Sequence, residues 1–265
     1  MTAVLRVVPL EIFAARRPQR LIERSLMVYR RSWIIIVSGF FEPLFYLLSI
    51  RIGLSDLVGD VTYDGELVGY ATFVAPALMA SSAMNGAIFE STMNIYHKLK
   101  YQRLYDSVLA TPMTVPDVAL GEIGFSMMRG VLYSTAFVFT MWALGMVGSW
   151  WMVLSVPACA LIGFAFSAIG MTATTFIRSW ADFEYVPSVQ IPLFLFSATF
   201  YPLSSYGDWG WVVQLSPLYH GVAIVRALNV GDVGPMMLVH AGVLFVIGVA
   251  GVALASRRIR TLLLP

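Results

Sequence analysis

Reactive side chains are few in this chain, and their spacing excludes more than it supports. His97, His220 and His240 have no H-E-x-x-H or related metal spacing, so they are expected to be interfacial or packing residues. Cys159 is the only cysteine and lies in an apolar run, where it has no partner for an intrachain disulfide or a cysteine metal cluster. No G-x-x-x-x-G-K-[ST] phosphate loop occurs, and neither Lys98 nor Lys100 follows a glycine-rich turn. The chain is therefore not its own ATPase, and no cofactor is expected to bind it. No acid, base, metal or nucleophile set converges at recognisable spacing, which leaves an enzyme acting on lipid within the membrane as the weakest reading.

Two charges stand out because of where they fall. Glu42 and Arg129 interrupt long apolar stretches, about nine and about eleven residues in, which at a rise of ~1.5 Å per residue puts them at comparable depth. An unpaired charge at that depth is costly. The two are expected to pair across helices, with a place in a cargo path as the alternative.

The elements that carry these residues follow from composition. The chain is 58% hydrophobic and 12% charged, with mean hydropathy +0.77, against about 25% charged for ordinary soluble domains. This is an all-α integral membrane protein with a single transmembrane domain over residues 1–265. Apolar runs place six spans at about 33–53, 67–88, 118–145, 150–177, 186–201 and 235–255, each near the ~20 residues a bilayer needs. The charge-free stretch 130–177 is too long for one span and reads as two, turning at Gly145 to Trp150. The first run is too long for a signal peptide and is expected to remain as an anchor. Ahead of it, Leu21, Ser25 and Val28 share one helical side and Arg20, Arg24 and Arg31 another, which fits an amphipathic helix in the membrane interface. The fifth run is short and contains Pro187 and Pro192. The segment 202–234 is rich in Trp, Tyr and Pro and is expected to form short re-entrant helices before the last span.

The polar island 96–122 is the most informative stretch. Tyr101, Leu104, Tyr105 and Val108 fall on one helical face. Thr111-Pro112 breaks the helix, and Thr114 with Asp117 has the form of a capping box for the next one. Arg6, Arg16, Arg17, Arg20, Arg24, Arg30 and Arg31 precede the first span. Lys98, Lys100 and Arg103 lie in the island, Arg178 in the next connection on that side, and Arg257, Arg258 and Arg260 at the end. By the positive-inside rule all of these, and both termini, are expected to be cytoplasmic.

FEPLFYLLSIRIGL, YATFVAPALMASSAM, YDSVLATPMTVPDVALGE, FLFSATFYPLSSYGDW and SPLYHGVAIVRAL together resemble the ABC-2 type permeases. The branch is that of the lipo-oligosaccharide exporter permease NodJ and the daunorubicin-resistance-type permeases. The resemblance covers nearly the whole chain, with two departures: Arg51 stands where a small residue is common, and Ala198 where glycine usually precedes Thr199. It implies a bacterial cytoplasmic-membrane exporter of an amphipathic drug, glycolipid or saccharide-lipid. Two permease chains, identical or not, would assemble with ATP-binding subunits that use ATP and Mg, and no nucleic acid is involved. Tyr101, Leu104, Tyr105, Asp106, Val108, Leu109, Ala110, Thr111 and Pro112 would form the coupling helix seated on the ATPase. Pro192, Pro202 and Pro217 would lie in an outer gate. An ion-coupled secondary transporter is the other reading, although no inverted repeat with paired broken helices is evident.

Overall fold

The computed structural model describes residues 16–30, 41, 44–63 and 65–263. Much of the expected first span, Glu42 included, lies outside the described residues. Helix α1 (Arg16–Arg30) buries Leu21 and Ser25 and exposes Arg20 and Arg24, as its alternation of apolar and basic positions requires. Helical residues 44–58 follow, with a π-helical turn at Ile50–Leu54. A two-stranded antiparallel hairpin, β1 (Asp60–Tyr63) and β2 (Glu66–Gly69), then occupies the acidic connection. Sequence reading missed this hairpin, although Gly65 in its turn takes φ +83°, a conformation glycine adopts freely.

Helix α2 (Tyr70–Phe89) continues through π-helical turns at Glu90–Asn94 and His97–Tyr101. Next come α3 (Leu104–Leu109), α4 (Val115–Ala143) and α5 (Ser155–Thr174). α4 starts at the expected capping box: Asp117 N–H donates to the Thr114 hydroxyl, and Thr114 N–H donates to the Asp117 carboxylate at 2.9 Å. The turn between α4 and α5 falls at Gly145 to Ser149, as the charge-free run predicts. Helix α6 (Tyr185–Leu195) is shorter than the expected fifth span, because the chain breaks at Phe196 and takes φ +55° at Ala198. A 3-10 turn (Leu203–Trp209), α7 (Gly210–Gln214) and α8 (Pro217–Val230) occupy the segment in which short re-entrant helices are expected. α8 is a core helix, with Leu218, Val222, Val225 and Leu228 all buried. Helix α9 (Met236–Leu263) closes the described chain.

Three helices among the described residues are long and apolar enough to cross a membrane: Tyr70–Tyr101, Trp150–Thr174 and Met236–Leu263. α5 is the hub and packs on α2, α4 and α9. Small residues set these approaches. A Cβ on Gly170 would lie 2.0 Å from the Ser91 hydroxyl, and one on Gly248 2.2 Å from the Phe164 ring. A Cβ on Gly163 or Gly242, by contrast, would meet no heavy atom within 4 Å. Gly170→Ala is therefore expected to destabilise the bundle by about 1–3 kcal/mol through overpacking, and Gly163→Ala by much less. Thermal unfolding in detergent distinguishes the two, and equal midpoints would contradict this packing.

Candidate functional site

The island 96–122 folds into a compact mount. Arg103 takes the left-handed conformation (φ 45°) and separates α3 from the end of the α2 continuation. α3 itself is only six residues long, too short to be stable alone, so it is held by what it packs on. Its apolar stripe turns inward: Tyr105 is buried, and Leu104, Val108 and Leu109 are half-buried against Leu21 of α1, Val118 of α4 and Ile259 of α9. The Tyr105 hydroxyl donates to one oxygen of Glu122 at 3.1 Å, and Lys98 donates to the other at 2.6 Å. Burial, reinforced by the Glu122 carboxylate, pushes the Tyr105 phenol well above its ordinary pKa.

This arrangement refines the sequence expectation. Of the nine positions assigned to the coupling helix, Tyr105 faces its own chain, and Asp106, Ala110, Thr111 and Pro112 are exposed, together with Ser107. Tyr101 lies before the helix, exposed, in an aromatic block with Tyr96, Trp180 and Phe183. Trp180 Nε1 donates to the Tyr101 hydroxyl at 2.5 Å and the Tyr96 hydroxyl to the Arg178 carbonyl at 3.2 Å, so the block ties the island to the connection before α6. In that connection Asp182 accepts from the backbone N–H groups of Arg178 and Ser179, which hold its carboxyl below the usual range.

Arg129 forms an ion pair with Glu90 on the α2 continuation. The expected partner, Glu42, lies outside the described residues. Glu90 is buried and also accepts from Asn94 at 2.6 Å. Sequence reading missed it because a carboxylate near the end of a span looks like an interfacial charge. The signal available was that Arg129 needed an acid at its own depth. Beside this pair, recesses of about 730 and 410 Å³ open between α2, α4 and α6, sharing Ser82, Asn85, Pro187 and Gln190, with Arg129 and Tyr133 in the larger one. Gln190 donates to the Asn85 carbonyl at 2.5 Å across the recess. Amides, hydroxyls and the Arg129 guanidinium thus punctuate an otherwise apolar lining.

At the opposite end, Pro192 lies inside α6, Pro202 caps the 3-10 turn and Pro217 begins α8. The chain between them folds back on itself: the Ser197 and Ser216 hydroxyls lie 2.6 Å apart, and the Tyr206 hydroxyl donates to the Leu195 carbonyl. Ala198 sits at the centre of this fold-back with φ +55°. That conformation is disfavoured for any L-residue with a Cβ and gives glycine there a physical reason. Ala198→Gly is expected to stabilise the chain by up to about 1 kcal/mol, readable as a raised unfolding midpoint. A lowered midpoint would contradict it.

A family model for the ABC-2 type transporter matches residues 19–229. Among curated proteins, nodulation protein J of Rhizobium meliloti (strain 1021) is 26% identical over 250 residues, covering 91% of this chain and 94% of that protein. Nodulation protein J of Sinorhizobium fredii (strain NBRC 101917 / NGR234) is 28% identical over 244 residues, with 89% and 91% covered. The Bradyrhizobium diazoefficiens protein of that name is likewise 28% identical over 244 residues.

Proposed function

Because the chain belongs to the ABC-2 type transporter family, we propose that it is the membrane-spanning permease of an ATP-driven exporter of an amphipathic compound. In this reading it crosses the bacterial cytoplasmic membrane six times with both termini in the cytoplasm. It is itself not an enzyme: a separate ATP-binding subunit uses ATP and Mg. The observation that carries the reading is the mounting of α3. A helix too short to hold itself is fixed by a buried tyrosine, a buried carboxylate and a lysine, while Asp106, Ser107, Ala110 and Thr111 face outward. It sits between the α2 continuation and α4, so a push on that face moves two long helices together.

The recess between α2, α4 and α6 supports a path for cargo with a polar head and an apolar body. α6 buries none of its residues within one chain, which supports a second permease chain, the same or different, closing the recess. The resemblance of segments such as FLFSATFYPLSSYGDW and SPLYHGVAIVRAL to the exporter branch of the ABC-2 permeases supports export in particular, with the compound itself left to experiment.

The test is affinity purification of the tagged chain in mild detergent with an assay of ATP hydrolysis. Recovery of an ATP-hydrolysing subunit is expected, together with transport that survives collapse of the proton gradient at constant ATP. Transport lost with the gradient, and no such subunit, would instead indicate an ion-coupled transporter.

A further inference from the structure

We propose that Arg226 and Asn229 of α8 form a latch that joins the second span to the fold-back after α6, and so set the position of the outer gate. The proposal rests on the exporter reading for its functional meaning, but its geometry stands alone. Arg226 and Asn229 are both buried, one turn apart on α8, and the hydrogen bonds of both side chains run to backbone atoms.

α2 contains Pro76, which has no N–H, so the carbonyl of Thr72 four residues earlier lacks its helical donor. Asn229 Nδ2 donates to that carbonyl at 3.2 Å. Arg226 Nε donates to the next carbonyl, Phe73, at 3.2 Å, and the guanidinium lies 3.9 Å from the Phe73 ring centroid. From the same guanidinium, Nη2 donates to the carbonyls of Ala198 at 2.8 Å and Thr199 at 3.3 Å, the point where the chain turns with positive φ. Asn229 also donates to the Met146 carbonyl at 3.3 Å and accepts from Gly148 N–H at 3.2 Å. A Cβ on Gly148 would lie 2.8 Å from the Asn229 carbonyl, so the α4–α5 turn approaches α8 at glycine distance.

Two side chains therefore hold four pieces of backbone: the proline-weakened start of α2, the break after α6, the α4–α5 turn and α8 itself. Among the described residues no carboxylate forms an ion pair with Arg226. Its charge is met by carbonyl dipoles and aromatic faces, an arrangement that fixes geometry rather than neutralising charge. Backbone bonds pass on displacement directly. α2 is continuous with the island that mounts α3, so movement at α3 reaches the break at Ala198 through Arg226. Lysine keeps the charge at this position but not the fork that reaches Phe73 and Ala198 together.

The test uses the full chain with Cys159→Ala and spin labels at Leu67→Cys, on the β2 strand that leads directly into α2, and at Tyr201→Cys on the fold-back. A reference pair at Leu120→Cys and Leu262→Cys, both exposed and on α4 and α9 away from the latch, reports the rest of the bundle. In the chain alone, Arg226→Gln and Asn229→Leu are each expected to broaden the first distance distribution and leave the second unchanged. With the ATP-hydrolysing subunit bound, ATP plus vanadate is expected to shift the ratio of gate conformers about fivefold or more in the unsubstituted chain. The shift should be less than about twofold in Arg226→Lys, while hydrolysis continues. An unchanged first distribution, both distributions broadening together, or a full shift retained in Arg226→Lys would each overturn the latch. Failure of the exporter reading looks different: the unsubstituted chain brings down no ATP-hydrolysing subunit, and the chain-alone distances still decide the latch.

Discussion

Glu90→Leu is expected to destabilise the chain by about 3–5 kcal/mol, the usual consequence of removing one member of a buried ion pair and leaving the other. The Arg129 side chain is 17% exposed and that of Glu90 5%, so solvent supplies little compensation. Replacing both, Glu90→Leu with Arg129→Met, is expected to recover most of the loss, because a buried pair is often matched by apolar residues of similar size. Unfolding midpoints of the two single variants and the double variant form a cycle that isolates the pair. Simple additivity would show that Glu90 and Arg129 do not act together. If the double variant is stable but transport-deficient, the pair's place beside the recess matters for cargo as well as for packing.

Tyr105→Asp is expected to be the other severe change, a loss of about 3 kcal/mol or more. It places a second carboxylate against the buried Glu122 and removes a fully packed ring from the α3 mount. Ser107→Arg, two residues on and exposed, is expected to change stability by less than about 0.5 kcal/mol yet to lose the ATP-hydrolysing subunit. The pair of variants separates anchoring from docking. Equal losses of stability, measured by unfolding midpoint, would contradict the inward placement of Tyr105. The phenol itself is silent near neutrality. Its pKa is raised in the fold, so folding favours the protonated form. The contribution is complete below the unfolded value of about 10 and disappears only as pH rises through the raised folded value.

Much of the architecture was legible in the sequence, and the exceptions have physical causes. The capping box at Thr114 and Asp117, the turn after Ala143 and the amphipathic α1 followed from local rules that tertiary packing did not override. The apolar stripe on the island was also read correctly as a stripe. Periodicity alone does not say whether a stripe faces a partner or its own chain, and here the buried Glu122 turns Tyr105 inward. The short β-hairpin escaped because each strand has only four residues and charges interrupt its alternation. The Trp, Tyr and Pro content of 202–234 signalled short helices there but not how deeply α8 is buried. In the fold Arg226 is spent on backbone carbonyls inside the bundle, and the two histidines bond to each other, His220 Nδ1 to His240 Nδ1 at 2.7 Å.

The most direct measurement is photo-crosslinking from position 107 on α3, compared with position 150 at the opposite end of the bundle, where Trp150 is 92% exposed. A crosslinking residue at each site is introduced into the tagged chain, irradiated in intact membranes, and the captured proteins are assayed for ATP binding. Capture of an ATP-binding subunit from position 107 and not from position 150 is the predicted result. Capture from position 150 alone, or from neither site while the complex still copurifies, would contradict the assignment of α3 as the motor contact.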